Sequence, residues 1–85
     1  MTIDFHKDFT KGLKRLPPKI KKKFQERLLF FEKDQFNPIL NNHALNGGYQ
    51  GYRSINVTGD MRAIYRKDTN AVIFVEIGSH SKLYG

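Results

Sequence analysis

The apolar positions of this 85-residue chain change period about halfway along it. Within Thr2–His6, Ile3 and Phe5 alternate with polar neighbours, which predicts a short strand with both on one face. Phe9, Leu13 and Leu16 follow at i, i+4 and i+7, one stripe of a helix. The segment "LPPKI" (16–20) stops that helix, and its second proline suits the first turn of a new one. Ile20, Phe24, Leu28 and Phe31 then repeat at helical spacing to about Asp34, with Lys19, Lys21, Lys22, Lys23 and Arg27 largely off the stripe. Pro38 in "FNPIL" disfavours helical geometry at Asn37 and ends the second helix. Together these segments predict a helical hairpin with one apolar side.

The stretch "NNHALNGGYQG" (41–51) is rich in Asn and Gly and reads as a loop, with Leu45 as its apolar anchor. Beyond it the period becomes two. "YRSINV" (52–57) alternates, "TGD" (58–60) is a turn, "MRAIYR" (61–66) alternates again, "KDTN" (67–70) is a second turn, and "AVIFVEIG" (71–78) is the strongest strand. Three consecutive strands with short polar turns make an antiparallel meander. The expected fold is therefore α+β: a short N-terminal strand, a helical hairpin, and a three-stranded meander covered by the helices on one face and partly open on the other. The length suits one domain over residues 1–85, and no repeat or linker interrupts it.

Charge narrows the function. Fifteen Lys and Arg stand against eight Asp and Glu, a net charge of +7. Ten of those bases are Lys7, Lys11, Lys14, Arg15, Lys19, Lys21, Lys22, Lys23, Arg27 and Lys33, all in the helical half. Such a bias points either to a polyanion or acidic protein partner or to a solvated basic helix face. With no cysteine, neither a disulfide nor a thiolate metal site can form. No apolar run approaches the roughly 20 residues of a membrane span, and "MTIDFHKDF" lacks a signal-peptide pattern. A soluble cytoplasmic protein is expected.

Residues suited to chemistry concentrate in the loop, the meander and the tail: His43, Arg53, Asn56, Asp60, Arg62, His80 and Tyr84. Each also has a purely structural reading. His43 suits a backbone contact in an Asn-rich loop, and Asp60 after Gly59 suits a tight turn. Arg53 can cover the sheet with its aliphatic stem. Asn56 is polar in a strand interior, where it belongs on the open face. Tyr84 can serve as an apolar plug. The tail "IGSHSKLYG" (77–85) nonetheless places an imidazole and a phenol where chains usually fray.

Other site classes find no support in the sequence. There is no glycine-rich phosphate loop before a helix, no GxSxG, no recognised zinc spacing among His6, His43 and His80, and no carboxylate set for a two-metal site. Neither a metal nor another cofactor is expected. His, Asp, Tyr and Arg around an open basic sheet suit acid–base chemistry on a phosphodiester. A base takes the proton of the attacking hydroxyl, an acid protonates the leaving oxygen, and a cation steadies the charge between them. Histidine suits either proton role.

The stretches "HALNGGYQGYRSINVTGDMRAIYR" (43–66) and "IGSHSKLYG" resemble the RelE/ParE superfamily of bacterial toxins, and within it the YafQ branch of ribosome-dependent mRNA interferases. The resemblance implies that His43 is an active-site loop histidine, Asp60 the active-site aspartate, and His80 the acid that protonates the leaving 5′-oxygen. It further implies that Tyr84 is an aromatic that stacks on a base or orients the phosphate, and that Arg62 lies near the scissile phosphate. Arg53, Asn56 and Lys82 are the further candidates for contacting RNA. Two positions depart from the branch: Asn56 stands where a histidine can occur and cannot exchange protons, and Met61 replaces a common aromatic. The base is thus left between His43 and Asp60.

On that resemblance the expected partners are the mRNA, the ribosomal A site with its rRNA, and a cognate antitoxin. The free toxin would be monomeric and would form a hetero-oligomer with its antitoxin. The expected products are a 2′,3′-cyclic phosphate and a 5′-hydroxyl. The rival reading is a ParE-like DNA gyrase poison without nuclease activity, since a shared fold does not fix function.

Overall fold

The structure is a computed structural model that describes residues 1–84. Strand β1 (Thr2–Phe5) leads into helix α1 (Lys7–Lys14), whose first turn is capped by His6: Nδ1 accepts the Asp8 amide at 3.1 Å. Helix α2 (Pro18–Lys33) starts on the predicted proline, at a position where a missing N–H costs nothing. Two side-chain turns then reverse the chain. Asp34 accepts the Phe36 amide and Asn37 accepts the Ile39 amide, each at 3.0 Å. After a single 3₁₀ turn (Pro38–Leu40) come β2 (His43–Ala44), a second 3₁₀ turn (Gly47–Tyr49), β3 (Tyr52–Asn56), β4 (Met61–Asp68), β5 (Ala71–Ser79) and a short helix α3 (His80–Tyr84).

The five strands form one sheet in the order β1-β5-β4-β3-β2, with β1 parallel to β5 and the other pairs antiparallel. The predicted α+β architecture and meander are thus present, with three additions. His43–Ala44 pairs with Arg53–Ser54 as an edge strand inside the stretch expected to be loop. Strand β4 runs two residues further, to Asp68, so the turn to β5 is tight. The tail is helical. Alternation would not reveal a two-residue strand, and a five-residue helix carries no periodic signal.

The helices cover one face of the sheet. Phe9 and Phe24 lie 5.2 Å apart, and each meets Phe74 of β5, at 5.5 and 5.6 Å; Phe31 of α2 meets Tyr65 of β4 edge-on at 5.1 Å. All these rings are buried, as are Leu40, Ile55, Val57 and Val72 around them. Burying each such side chain contributes about 1.5–3 kcal/mol, so this face supplies most of the fold's driving force. Arg27, read from sequence as lying off the apolar stripe, donates to the Val57 carbonyl at 3.3 Å and ties α2 to β3.

A bulge between β4 and β5 sets the other face. Ile64 pairs with Glu76, yet its neighbour Tyr65 pairs with Phe74, so Val75 is the extra residue. The bulge lets Phe74 and Ile77, three apart, both face the helices, while Glu76 and Gly78 share the second face with Ile64 and Arg62. Ile64 is fully buried but lies outside the helix-side core. Ile64 pairs with Ser54 and Glu76, and Tyr84 and Tyr49 hydrogen-bond to those two partners, so loop and tail partly cover this second face.

Candidate active site

Arg62 stands at the centre of that second face, on β4 between Asn56 of β3 and Gly78 of β5. It is only 9% exposed. Its Nε donates to Ser54 Oγ at 2.6 Å, its Nη1 to Asn56 Oδ1, and its Nη2 to the Asn41 carbonyl at 3.4 Å. Among the described residues it forms no ion pair with a carboxylate. A buried charge held only by neutral oxygens is costly. The sheet therefore holds a fixed, under-neutralised cation whose orientation is set by two residues of β3 and by the Asn41 carbonyl before β2.

His43 reaches this cation from the edge strand β2, opposite Ser54. Its Nδ1 lies 2.9 Å from the Asn41 carbonyl and 3.2 Å from Arg62 Nη2. One ring nitrogen cannot donate to the first and accept from the second, so the tautomer selects between them. Asn41 aims its carbonyl at both from a left-handed backbone conformation, φ 45°, which asparagine tolerates better than most residues.

The tail closes the other side. The His80 amide donates to the Asp60 carbonyl at 3.0 Å, which starts α3 beside the β3–β4 turn. The Lys82 amide donates to Ser79 Oγ at 3.2 Å. Leu83 packs beside Gly78, where a Cβ would stand in ordinary contact with Leu83 Cδ2 at 3.4 Å. The His80 ring sits 4.8 Å from the Tyr84 ring, and the Tyr84 hydroxyl donates to Ser54 Oγ at 3.2 Å. Ser54, fully buried, thus accepts from both Arg62 and Tyr84.

The result is a shallow depression of about 220 Å³ lined by His43, Leu45, Arg62, His80 and Tyr84. Four residues singled out from sequence are therefore gathered in one place from β2, β4 and α3. Asn56 joins them through Arg62. Asp60 touches the group by its backbone only; its carboxylate makes no hydrogen bond among the described residues. Lys82 flanks the depression, in a neighbouring groove with Glu76 and Arg15.

Arg53 is not brought in. It pairs with Tyr65 and so faces the helix side, where its Nε donates to Asn42 Oδ1 at 2.8 Å and its guanidinium lies over Phe36 at 5.3 Å. Strand alternation gives the reason: positions 54 and 56 share a face and 53 does not. That same alternation points to Ser54, which the sequence reading passed over, as did Asn41.

The arrangement offers two imidazoles across a fixed guanidinium, which is what proton exchange at both ends of a displacement at phosphorus requires. Among the described residues no group of three or more His, Asp or Glu is placed to hold a metal ion. No helix there is long and apolar enough to cross a membrane.

A sheet of this order with a helical hairpin on one face is the fold shared with YafQ and YoeB/ParE toxins. The chain belongs to the YafQ family, bacterial toxins of type II toxin-antitoxin systems, whose model matches residues 1–85. It is similar to YafQ from E. coli strain BL21(DE3), with 25% identity and a TM-score of 0.75 over 98% of this chain and 97% of that one. Similar too is YafQ in the E. coli DinJ-YafQ toxin-antitoxin complex, with 26% identity and a TM-score of 0.72 over 98% and 96% of the two chains. A metal-bound toxin from Helicobacter pylori matches over 99% of both chains, with 27% identity and a TM-score of 0.72. Among curated proteins none matches the chain.

Proposed function

We propose that this toxin is an endoribonuclease that cuts mRNA in the ribosomal A site. The observation that carries the reading is Arg62: a nine-tenths buried guanidinium, without a carboxylate partner among the described residues, opening with two imidazoles into one depression. A phosphodiester supplies the missing negative charge. His80 is the general acid. It protonates the departing 5′-oxygen while the neighbouring 2′-hydroxyl attacks phosphorus, leaving a 2′,3′-cyclic phosphate and a 5′-hydroxyl. His43, which lines the depression, takes the proton of the 2′-hydroxyl, while Asp60 holds the start of α3 through its carbonyl. Arg62 steadies the charge on the phosphoryl oxygens, Asn56 holds Arg62, Tyr84 stacks on a base, and Lys82 attracts the flanking strand. Arg53 has no part in this scheme.

The shallow site supports a requirement for the ribosome. A depression this open positions a flexible strand poorly, and correct positioning can supply several kcal/mol of barrier lowering. The helical bases are largely exposed, and only Lys23 makes an ion pair among the described residues, with Glu26 at 3.6 Å. They face rRNA in this reading. The free toxin is a cytoplasmic monomer that acts as one domain. A cognate antitoxin engages it, as DinJ does in the YafQ complex.

Ribosome profiling after induction, with capture of RNA 3′ ends, tests the proposal. A-site cuts ending in cyclic phosphate are expected. Gyrase-linked DNA breaks without mRNA cuts would replace it with the ParE-like reading, and 5′-phosphate products would overturn the mechanism.

A further inference from the structure

A five-residue helix has no intrinsic stability in water, yet α3 carries both His80 and Tyr84. The Tyr84 ring meets His80 at 4.8 Å and also meets Tyr49 edge-on, at 5.9 Å and 81°. Tyr49 belongs to the 3₁₀ turn at 47–49, far from α3 in sequence. It also meets Tyr52 edge-on at 6.2 Å. Its hydroxyl is fixed to the sheet, donating to Glu76 Oε2 at 2.5 Å. Glu76 in turn sits beside the bulge, paired with the fully buried Ile64.

We propose that Tyr49, anchored by Glu76, is a positioning residue that braces Tyr84 and, through it, sets the His80 imidazole over the depression. The physical chain runs from the sheet floor to the acid: Glu76 fixes the Tyr49 phenol, the Tyr49 ring walls the Tyr84 ring, and the Tyr84 ring meets His80. The hydrogen bond to Glu76, burial, and the nearby charges of Glu76 and Tyr84 push the Tyr49 phenol up to about 12. It therefore stays a donor at neutral pH and takes no part in proton exchange. Edge-to-face pairs of this kind contribute beyond the area they bury, so the ring and the hydroxyl have separable roles.

The test uses Tyr49→Ala, Tyr49→Phe and Glu76→Gln, with two readouts. The first is the NMR shift of the His80 ring protons in the free protein, which the Tyr84 ring current displaces. Tyr49→Ala should move them towards free-histidine values, Tyr49→Phe should leave them near wild type, and Glu76→Gln should lie between. The second readout rests on the ribonuclease reading. In single-turnover cleavage on programmed ribosomes, Tyr49→Ala should slow the reaction by about 10- to 100-fold, the usual effect of a misplaced group, at unchanged half-saturating toxin concentration, and Tyr49→Phe should restore most of the rate. In a His80→Ala background Tyr49→Ala should cost nothing more, because it acts through His80. Unmoved His80 resonances in Tyr49→Ala, or penalties that multiply in the double variant, would overturn the proposal. A wild-type toxin that cuts no mRNA would remove the ribonuclease reading alone, since the NMR arm still decides the bracing role.

Discussion

Ser54→Ala removes one oxygen, and the structure gives its consequence a size. Ser54 Oγ accepts Arg62 Nε at 2.6 Å and the Tyr84 hydroxyl at 3.2 Å, and the residue is fully buried. The first bond is charge-assisted, a class worth about 1.5–3 kcal/mol net, and its loss leaves a buried cationic N–H without a partner. The second contributes little to stability, because Tyr84 is half-exposed and its hydroxyl can turn to water. A destabilisation of about 2 kcal/mol follows, and for a domain of this length it lowers Tm by roughly 8–16 °C. Cleavage should fall as well, since Arg62 and Tyr84 lose a common anchor. Urea and thermal unfolding measure the first effect, single-turnover cleavage the second. Tyr84→Phe is the control: alone it should shift stability by less than about 0.5 kcal/mol, and in a Ser54→Ala background by nothing measurable. If Ser54→Ala unfolds within about 0.5 kcal/mol of wild type, Ser54 does not anchor the site and the reasoning fails.

His80→Ala should slow cleavage by roughly 10²–10⁴-fold, the span for one acid–base group, with little change in Tm; a 5′-thio leaving group should rescue it but not Arg62→Ala. Near-normal cleavage by folded His80→Ala would remove the acid. Arg53→Ala should do the reverse, destabilising the fold by about 1–2 kcal/mol through lost contacts to Asn42 and Phe36 while leaving cleavage intact; a cleavage loss matching that of Arg62→Ala would return Arg53 to the site. Tyr49 favours its neutral form in the folded state, with its phenol raised from 10.0 to about 12. Its contribution to stability is therefore complete below about pH 10 and lost as pH rises through about 12. In an absorbance titration near 295 nm, the phenolate missing from Tyr49→Phe should be the one that forms near pH 12, and formation near pH 10 would contradict the Glu76 bond.

The fold was legible because its two halves have different periods. Phe24 and Phe31 at helical spacing and the alternation around Ile55 and Ala63 each define an inner face without further information, and both faces are buried as expected. The gathering of His43, Arg62, His80 and Tyr84 was legible only through resemblance, since no local spacing links residues from 43 to 84. What sequence left out is geometric. Val75 looks like any strand residue, yet its bulge decides that Glu76 faces the site. Ser54 looks like a solvent-facing serine until Arg62 and Tyr84 converge on it. Arg53 and Arg62 look equivalent as bases, and the strand period alone separates them, a rule that applies equally to the sequence once the pairing is known.

The under-neutralised guanidinium of Arg62 also links occupancy to folding. Any anion that settles in the depression binds the native chain and not the unfolded one, and so stabilises it by RT ln(1 + [L]/Kd), about 2.7 kcal/mol at a hundredfold excess over Kd. The melting temperature of this toxin is therefore a gauge of what fills its site: it should climb with sulfate or phosphate, and Arg62→Met should flatten that response. An anion bound beside Arg62 would thus hold the fold together as well as occupy the site.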